Sequence, residues 1–447
     1  MLLLQVSQLE QLSDLAKNQL GLVIFAVIVM AMFGVISTFS EWARCIGLGL
    51  MMWLASLERP IETEYYSLEM TRWLQMLSNS SRVLSIGLLG TLVLGGLFAR
   101  NNDRKQLFSW PLITLVALQL LNCLKMLAQE DVSRFLSTTP TVIAIFLFAA
   151  VGFGRVLGRE RGIEMLLWGV LLSGFLFVGG TIHELLLNSA SVFANNRLYG
   201  TTFNPQPAGM MCALLGMIAT YLLIHDRRHY LSKPVLLALL VLLGLGLVAT
   251  GSRTALLSAA VGFAMLLRNK AFISIAVAAV VIYAVLVLAN SFEGIQTSQD
   301  RLLDTTNTRR DSWQSLIDQF LSNPLFGSEI EGSGTAESSY LGVAARLGII
   351  GIGFLGAFCF ATLRMLYQLF RIRSADPRLR AAGDLVTALV VAFATSCFFD
   401  AYLFGSISWH MLLLYVALTI GQYLIEKAHQ PVVVMSRYPV PTRMAYQ

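Results

Sequence analysis

The sequence predicts an all-α, polytopic membrane protein of 12–13 transmembrane helices with one long, partly helical loop on the outer side. Of its 447 residues, 56% are hydrophobic and only 13% are charged, and the mean hydropathy is +0.68. Soluble domains carry about 25% charged residues. The net charge of +6 is scattered between apolar runs rather than clustered on one face, which argues against nucleic-acid binding.

Thirteen apolar runs follow one another along the chain. Because unpaired backbone groups are costly in hydrocarbon, each run is interpreted as a helix. The runs are residues 20–39, 45–57, 81–99, 107–127, 138–157, 163–182, 208–224, 234–250, 254–267, 271–290, 341–363, 383–404 and 407–425. Runs 45–57 and 254–267 reach only about 20 Å at helical rise, which is short for a bilayer. The sequence therefore predicts twelve or thirteen spans.

The distribution of Lys and Arg predicts which side each loop faces, because positive residues resist translocation. One alternate set of loops is rich in Arg and Lys, and it is predicted to be cytoplasmic together with the C-terminal tail. The other set is poor in positive charge and is predicted to face outward. Its members are 58–80, 128–137, 183–207, 251–253 and 291–340.

The long outer loop divides the chain into four predicted parts. These are N-terminal transmembrane helices at 1–290, the loop at 291–340, a three-helix segment at 341–430 and a cytoplasmic tail at 431–447. A loop of this length is uncommon without secondary structure of its own.

A short amphipathic helix is predicted inside that loop. Trp313, Leu316, Ile317 and Phe320 recur at helical spacing, and Asn323-Pro324 then stops the pattern. Such a helix packs on the membrane domain as a lid or lies in the headgroup region, and a specific ligand-binding role is the alternative.

Four arginines stand out on the outer side, which is otherwise poor in positive charge: Arg197, Arg253, Arg309 and Arg310. A single arginine at a helix end is usually an interface anchor. Four of them in turn-rich segments favour a binding role, because a planar guanidinium group suits phosphate oxygens. Asn204, in the stiff turn after Arg197, is a further candidate for substrate binding.

Glu337 precedes the apolar run that opens at Leu341. Its ordinary interpretation is a carboxylate favoured by the helix dipole. The functional interpretation is a general base, because the end of the outer loop would place this carboxylate at the membrane surface. Glu329 and Glu331 lie close by, but they lack the spacing of an oxygen-ligand loop, and no metal or other cofactor is expected.

Asp400 and His410 lie in or beside the last apolar runs. An intramembrane Asp and His can form a proton path, and a transporter or a lipid-linked glycan flippase would depend on such a pair. A satisfied buried pair is the commoner case. Transporters often show an internal repeat with broken helices in each half, and no such repeat is visible in this sequence.

Four segments, in this order, resemble the O-antigen ligase and polysaccharide polymerase superfamily. They are RLYGTTFNPQPAG, TGSRTALLSAAVG, RRDSWQSLIDQFLSNPLFG and AESSYLGVAARLGIIG. The resemblance covers roughly residues 190–425, and it rests on the order of the motifs, the long loop and the three closing spans. Residues 1–180 match only as a generic run of helices.

The resemblance implies a metal-independent glycosyltransferase on the outer face of a bacterial inner membrane, with an undecaprenyl-pyrophosphate-linked oligosaccharide as donor. Family ligases hold the pyrophosphate with two outward arginines, matched here by Arg197 and Arg253. Arg309 and Arg310 would contact sugar or a second phosphate, and Glu337 would deprotonate the acceptor hydroxyl. The expected partners are a glycan or lipid-linked acceptor, membrane lipids, and a chain-length regulator or export protein.

The chain departs from the family ligases at one position. Their pattern is His-Asn-x-Tyr-Leu after the outer loop, and the aligned segment here is Glu337-Ser338-Ser339-Tyr340-Leu341, with Tyr340 as a candidate for substrate binding. The missing histidine favours a polymerase, or a capsule or exopolysaccharide transferase, over a ligase that passes the glycan to lipid A-core. A transporter and a non-catalytic scaffold in an export complex are the alternatives from other classes.

Overall fold

The computed structural model describes residues 32–57, 71–98, 108–159, 161–194, 197–202, 204–225, 232–268, 309–328, 337–372, 377–403 and 407–429. These residues are mostly helical. Residues 32–39 form a helix. The α-helices that follow are α1 (Glu41–Ser56), α2 (Arg72–Leu97), α3 (Trp110–Ala128), α4 (Val132–Leu147), α5 (Gly154–Leu157), α6 (Gly162–Leu187), α7 (Ser189–Val192), α8 (Pro205–His225), α9 (Ser232–Ala249), α10 (Arg253–Leu266), α11 (Arg310–Ser322), α12 (Ser339–Phe370), α13 (Pro377–Cys397) and α14 (Trp409–His429).

Within the described part of the chain, eight helical segments are long and apolar enough to cross a membrane. They are α2, α3, α4 with the π-helical turn Phe148–Gly152 that continues it, α6, α8, α12, α13 and α14. The predicted all-α, multi-pass membrane fold is therefore confirmed. α9 and α10 are shorter apolar helices, and the 14 residues of α10 correspond to the short run predicted at 254–267.

Several predicted boundaries fall outside the described residues. The run 271–290, most of the run 20–39, and the divisions after 290 and 430 are among them. The C-terminal three-helix segment begins with α12 at Ser339, two residues before the predicted start.

α8 and α14 form the centre of the bundle, since 78% of the membrane-spanning window of each helix is buried. α8 packs against α9 and α10, and α10 packs in turn against α13. Gly209, near the start of α8, permits a close approach of the turn between α9 and α10. A Cβ atom at Gly209 would lie only 2.7 Å from Oγ1 of Thr250. The start of α10 is thereby brought beside the start of α8.

A compact turn between α6 and α8 positions Arg197. Strands β1 (Phe193–Ala194) and β2 (Arg197–Leu198) pair antiparallel, with Ala194 opposite Arg197. A 3-10 turn, Gly200–Thr202, leads from this ribbon toward α8. Arg197 is therefore held next to the start of the most buried part of the bundle.

The amphipathic helix predicted in the outer loop is present as α11, which ends at Ser322, directly before Asn323-Pro324. Leu316 is buried, and α11 packs against α12. The helix thus lies on the membrane domain, the first of the two arrangements expected for it.

The starts of α8, α10, α11 and α12 and the end of α13 meet at one end of the bundle. Side chains and backbone groups from these five places contact one another. The candidate site lies at this meeting point.

Candidate functional site

The guanidinium group of Arg309 is the centre of the candidate site. Its Nη2 lies 3.2 Å from Oδ1 of Asp400, its Nη1 donates to Oγ1 of Thr254 at 3.1 Å, and its Nε lies 3.7 Å from Oε2 of Glu337. The side chains of Arg309 and Asp400 are only 14% and 7% exposed. Water and salt therefore screen this pair less than a surface ion pair.

The backbone after α13 explains why Asp400 lies beside the start of α12. The carbonyl oxygen of Asp400 accepts hydrogen bonds from the amide of Ser339 at 3.1 Å and from its hydroxyl at 2.7 Å. The Ser339 hydroxyl oxygen also accepts from the amide of Leu403 at 3.2 Å. Because Ser339 is the first residue of α12, these bonds fasten the turn that carries Asp400 to the beginning of that helix.

Glu337 stands just before the same helix, as the sequence predicts. Ser338 caps α12, and its hydroxyl oxygen accepts from the amide of Leu341 at 3.4 Å. The Glu337 side chain is 31% exposed, so it is far more accessible than that of Asp400. Of the two carboxylates beside Arg309, that of Glu337 is therefore the more exposed, although its Oε2, which faces Arg309, is buried.

Gln206, in the first turn of α8, bridges the ion pair. With the amide turned to satisfy both groups, its nitrogen donates to Oδ1 of Asp400 at 2.9 Å and its oxygen accepts from Nη2 of Arg309 at 2.6 Å. Asn204, a predicted substrate-binding residue, accepts from the amide of Gln206 through its Oδ1 at 3.0 Å. Asn204 therefore fixes the start of α8 and, with it, the position of Gln206.

Arg197 approaches Asp400 from the ribbon before α8. Its Nε donates to the carbonyl oxygen of Thr250 at 2.8 Å, and its charge lies close enough to favour the ionised form of Asp400. Arg309, Asp400, Glu337, Thr254, Gln206 and Arg197 are called the Arg309 cluster below.

Arg253 is the first residue of α10 and is partly buried. It precedes Thr254, which contacts Arg309, and it follows the turn whose carbonyl group at Thr250 receives Arg197. Both arginines that the sequence motifs assign to the pyrophosphate therefore lie at the turn between α9 and α10.

Burial raises the pKa of Asp400 from 3.8 to about 6, although the neighbouring Arg309 guanidinium acts in the opposite direction. Asp400 is therefore mainly ionised at pH 7 and increasingly neutral below pH 6. An arginine keeps its proton throughout this range. The balance of charge in the Arg309 cluster thus changes just below neutral pH.

Two other predicted site residues, Arg310 and Tyr340, are not part of the Arg309 cluster. Arg310 is exposed on α11. The Tyr340 hydroxyl donates to the carbonyl oxygen of Ala394 at 2.9 Å, and its ring packs edge-on against Phe398 with centroids 4.6 Å apart. The contacts of Tyr340 therefore join α12 to α13.

Asp400 does not have the partner that the transporter alternative requires. That alternative pairs Asp400 with His410 as a proton path, whereas the Asp400 carboxylate lies against Arg309. His410 is buried, and its ring stacks on that of Tyr402 with centroids 4.4 Å apart. The one useful signal was an acid at the end of an apolar run, where a charged partner is required.

Two residues of the cluster carry no distinguishing signal in the sequence. Gln206 and Thr254 are common polar residues near helix starts, and nothing in their sequence context separates them from capping residues. Their contribution follows only from the packing of α8 against α10, which brings both starts to Arg309.

The carboxylates of the cluster face a cationic side chain. Among the residues that the structure describes, no group of three or more His, Cys, Asp or Glu residues is arranged to hold a metal ion. Glu329 and Glu331, considered above as metal ligands, lie outside the described residues.

Comparison with known proteins gives one family. Residues 238–356 match a family model described as O-antigen ligase. This segment lies within the region of the motif resemblance and includes Arg253, Arg309 and Glu337, while Arg197 and Asp400 flank it. No curated protein shows a significant match to the chain. This match confirms the resemblance over residues 238–356, which contain three of the four motifs; the first motif, which includes Arg197, lies before the matched segment.

Proposed function

We propose that this chain, whose residues 238–356 match a family model described as O-antigen ligase, is a membrane glycosyltransferase of the polymerase type. It moves an undecaprenyl-pyrophosphate-linked glycan onto a sugar hydroxyl of an acceptor, in O-antigen, capsule or exopolysaccharide assembly. The observation that carries the proposal is the Arg309 cluster, in which arginines and carboxylates from distant segments meet at one end of the bundle.

The arginines of the cluster suit a diphosphate leaving group. Arg197 and Arg309 both lie near Asp400, and Arg253 opens the neighbouring helix. Guanidinium groups bind phosphate oxygens through paired hydrogen bonds. Fixed positive groups also stabilise the negative charge that develops on the leaving oxygen. In the proposed complex these arginines hold the diphosphate while the bond to the sugar breaks.

The two carboxylates have different roles in this proposal. Asp400, which is nearly buried and 3.2 Å from Arg309, orients the guanidinium group. Glu337 is more exposed, and its 3.7 Å contact with Arg309 is the looser one. A diphosphate that competes for Arg309 therefore releases Glu337 rather than Asp400.

The chemical step is a single displacement. Glu337 takes the proton from the acceptor hydroxyl as that oxygen attacks the anomeric carbon of the donor. The bond between the anomeric carbon and the diphosphate oxygen breaks, and the electron pair leaves with the lipid diphosphate. The configuration at the anomeric carbon is inverted.

The choice of a polymerase over a ligase rests on Glu337. Family ligases resembling this chain have a histidine at the aligned position. A carboxylate also accepts a proton from a hydroxyl group, so the same step remains available with a different acceptor.

The reaction is assigned to the periplasmic face of a bacterial inner membrane, with the C-terminus in the cytoplasm. The assignment is supported by charge, because the segments that meet at the cluster belong to loops poor in Lys and Arg.

Purified protein incubated with a lipid-pyrophosphate oligosaccharide, with and without a chelator, tests the proposal. A ladder of products, unchanged by the chelator, is the expected result. A single shift on an added acceptor would instead identify a ligase. Movement of the intact lipid-linked glycan across vesicles, without any new glycosidic bond, would overturn the proposal in favour of transport.

A further inference from the structure

α12 is interrupted at Gly348, where φ is 62° and ψ is −154°. In an unbroken helix the amide of Ile349 donates to the carbonyl oxygen of Ala345. Here the Ile349 amide donates to the carbonyl oxygen of Pro324 at 2.8 Å, and the Ala345 carbonyl accepts from the amide of Ser328 at 2.8 Å. The turn that follows α11 therefore supplies hydrogen-bond partners for the Ile349 amide and the Ala345 carbonyl, which the break in α12 deprives of each other.

The turn and the break are in direct backbone contact. A Cβ atom on Gly327 would collide with the carbonyl group of Arg346, and one on Gly348 would collide with the carbonyl oxygen of Leu325. Both glycines have positive φ, a conformation that other residues rarely adopt. The two backbones can meet only because neither residue has a side chain.

Lys125, in the last turn of α3, donates to both sides of this junction. Its Nζ bonds to the carbonyl oxygen of Phe326 in the turn, at 2.6 Å, and to the carbonyl oxygen of Arg346 just before the break. A lysine ammonium has three donors and no acceptor, and its charge strengthens each bond. Three elements, α3, the turn after α11 and α12, are thus fastened at one point.

We propose that Lys125 is a positioning residue for the glycosyl transfer proposed above, on which this inference rests. Arg309 directly precedes the first residue of α11, and Glu337 stands just before α12. The contacts of Lys125 with Phe326 and Arg346 are called the Lys125 junction. This junction holds the C-terminal end of α11 and the C-terminal end of the part of α12 that precedes the break at Gly348. By fixing both segments, Lys125 keeps Arg309 and Glu337 at their mutual distance, although it lies outside the matched segment 238–356.

Hydrogen–deuterium exchange tests the junction independently of activity. In Lys125→Met, the amides of residues 310–322 should exchange roughly tenfold faster than in the wild type, since two charge-assisted bonds are lost. Lys125→Arg should recover part of the protection. Lys427→Met is the matched control, because Lys427 also lies in the last turn of a membrane helix, and it should leave α11 unchanged. Equal exchange in Lys125→Met and the wild type would overturn the proposal.

A double-mutant cycle tests the positioning role itself. The Lys125→Met substitution should lower kcat about tenfold in the wild-type protein but far less in the Arg309→Lys variant. The reason is that Lys125 and Arg309 both act on the contact between Arg309 and Glu337. Independent, additive losses of kcat would overturn the positioning role, since a general loss of stability lowers the kcat of the wild-type protein and of the Arg309→Lys variant alike. If Lys125→Met does not fold, Lys125→Gln supplies the same comparison.

The two proposals fail in distinguishable ways. Faster exchange of α11 in Lys125→Met, with no glycan transfer by the wild-type protein, would contradict the proposed function and support the junction. Glycan transfer by the wild type, with unchanged exchange of α11 in Lys125→Met, would support the proposed function and contradict the junction.

Discussion

Arg309 and Asp400 form an ion pair of 3.2 Å, although they are 91 positions apart in the chain. The carboxylate of Asp400 orients Arg309, and its backbone carbonyl holds Ser339 at the start of α12. Glu337 lies two residues before that serine. Asp400 thus ties the arginine proposed to bind the donor to the carboxylate proposed to activate the acceptor.

Arg309→Ala should lower glycan transfer by about 100-fold or more, because one fixed donor to a developing negative charge is worth that much. Arg310→Ala is the matched control, since Arg310 is the adjacent residue and is exposed. The rate of product formation in detergent or vesicles measures both. Equal losses in the two variants would remove the special role of Arg309.

The pH dependence of transfer should reflect Asp400, whose pKa is raised to about 6 by burial. As the pH falls from 7 to 5, Asp400 gains a proton and Arg309 loses its closest anionic partner, so kcat/KM should fall about tenfold. Asp400→Asn should be slow at pH 7 and should lack this acidic limb. Asp318→Asn, at an exposed position on α11, should keep the wild-type profile. Persistence of the limb in Asp400→Asn would assign it to another group.

Glu337→Gln should reduce kcat by roughly 10²–10⁴-fold, which is the usual contribution of a general base, while donor affinity stays within about threefold of the wild type. Glu337→His restores a proton acceptor and should recover part of the rate. Single-turnover kinetics separates the chemical step from binding. A Glu337→Gln protein with normal kcat would rule out this carboxylate as the base.

Gly348→Ala should destabilise the protein by roughly 1–3 kcal/mol, because alanine is strained at this positive φ and its Cβ would meet the carbonyl of Leu325. Gly353→Ala, five residues later in α12, is the control. A Cβ atom there has no neighbour within 4 Å, so the change should be neutral or stabilising by up to about 1 kcal/mol. Thermal unfolding in detergent compares the two, and equal effects would mean that the break is not required.

The membrane helices are predictable because each requires a long apolar run, which is easily recognised in the sequence. Apolar runs predict the membrane helices among the described residues, and the spacing of Trp313, Leu316 and Phe320 predicts α11, while the total of twelve or thirteen spans stays a prediction. The break at Gly348 was not predictable, since its hydrogen bonds come from the turn after α11 and from α3. Such compensation depends on tertiary contacts that no local pattern contains.

The candidate site was predictable only in part. Arg197 and Arg309 stand out in the sequence because the outer side is otherwise poor in positive charge, and Glu337 because it precedes an apolar run. The structure brings these three together around Asp400. The partner of Asp400 was not predictable, because the pair joins the starts and ends of different helices. Gln206 carries no charge, so its bridging amide left no signal in the sequence.

Equilibrium binding of a short-chain polyprenyl diphosphate to the purified protein tests most directly whether the Arg309 cluster holds the donor. The wild type and Arg310→Ala should bind it with similar affinity, and Arg309→Ala should bind it at least about tenfold more weakly, as expected for the loss of a charge-assisted bidentate contact. The same affinity in all three proteins would contradict the proposed site.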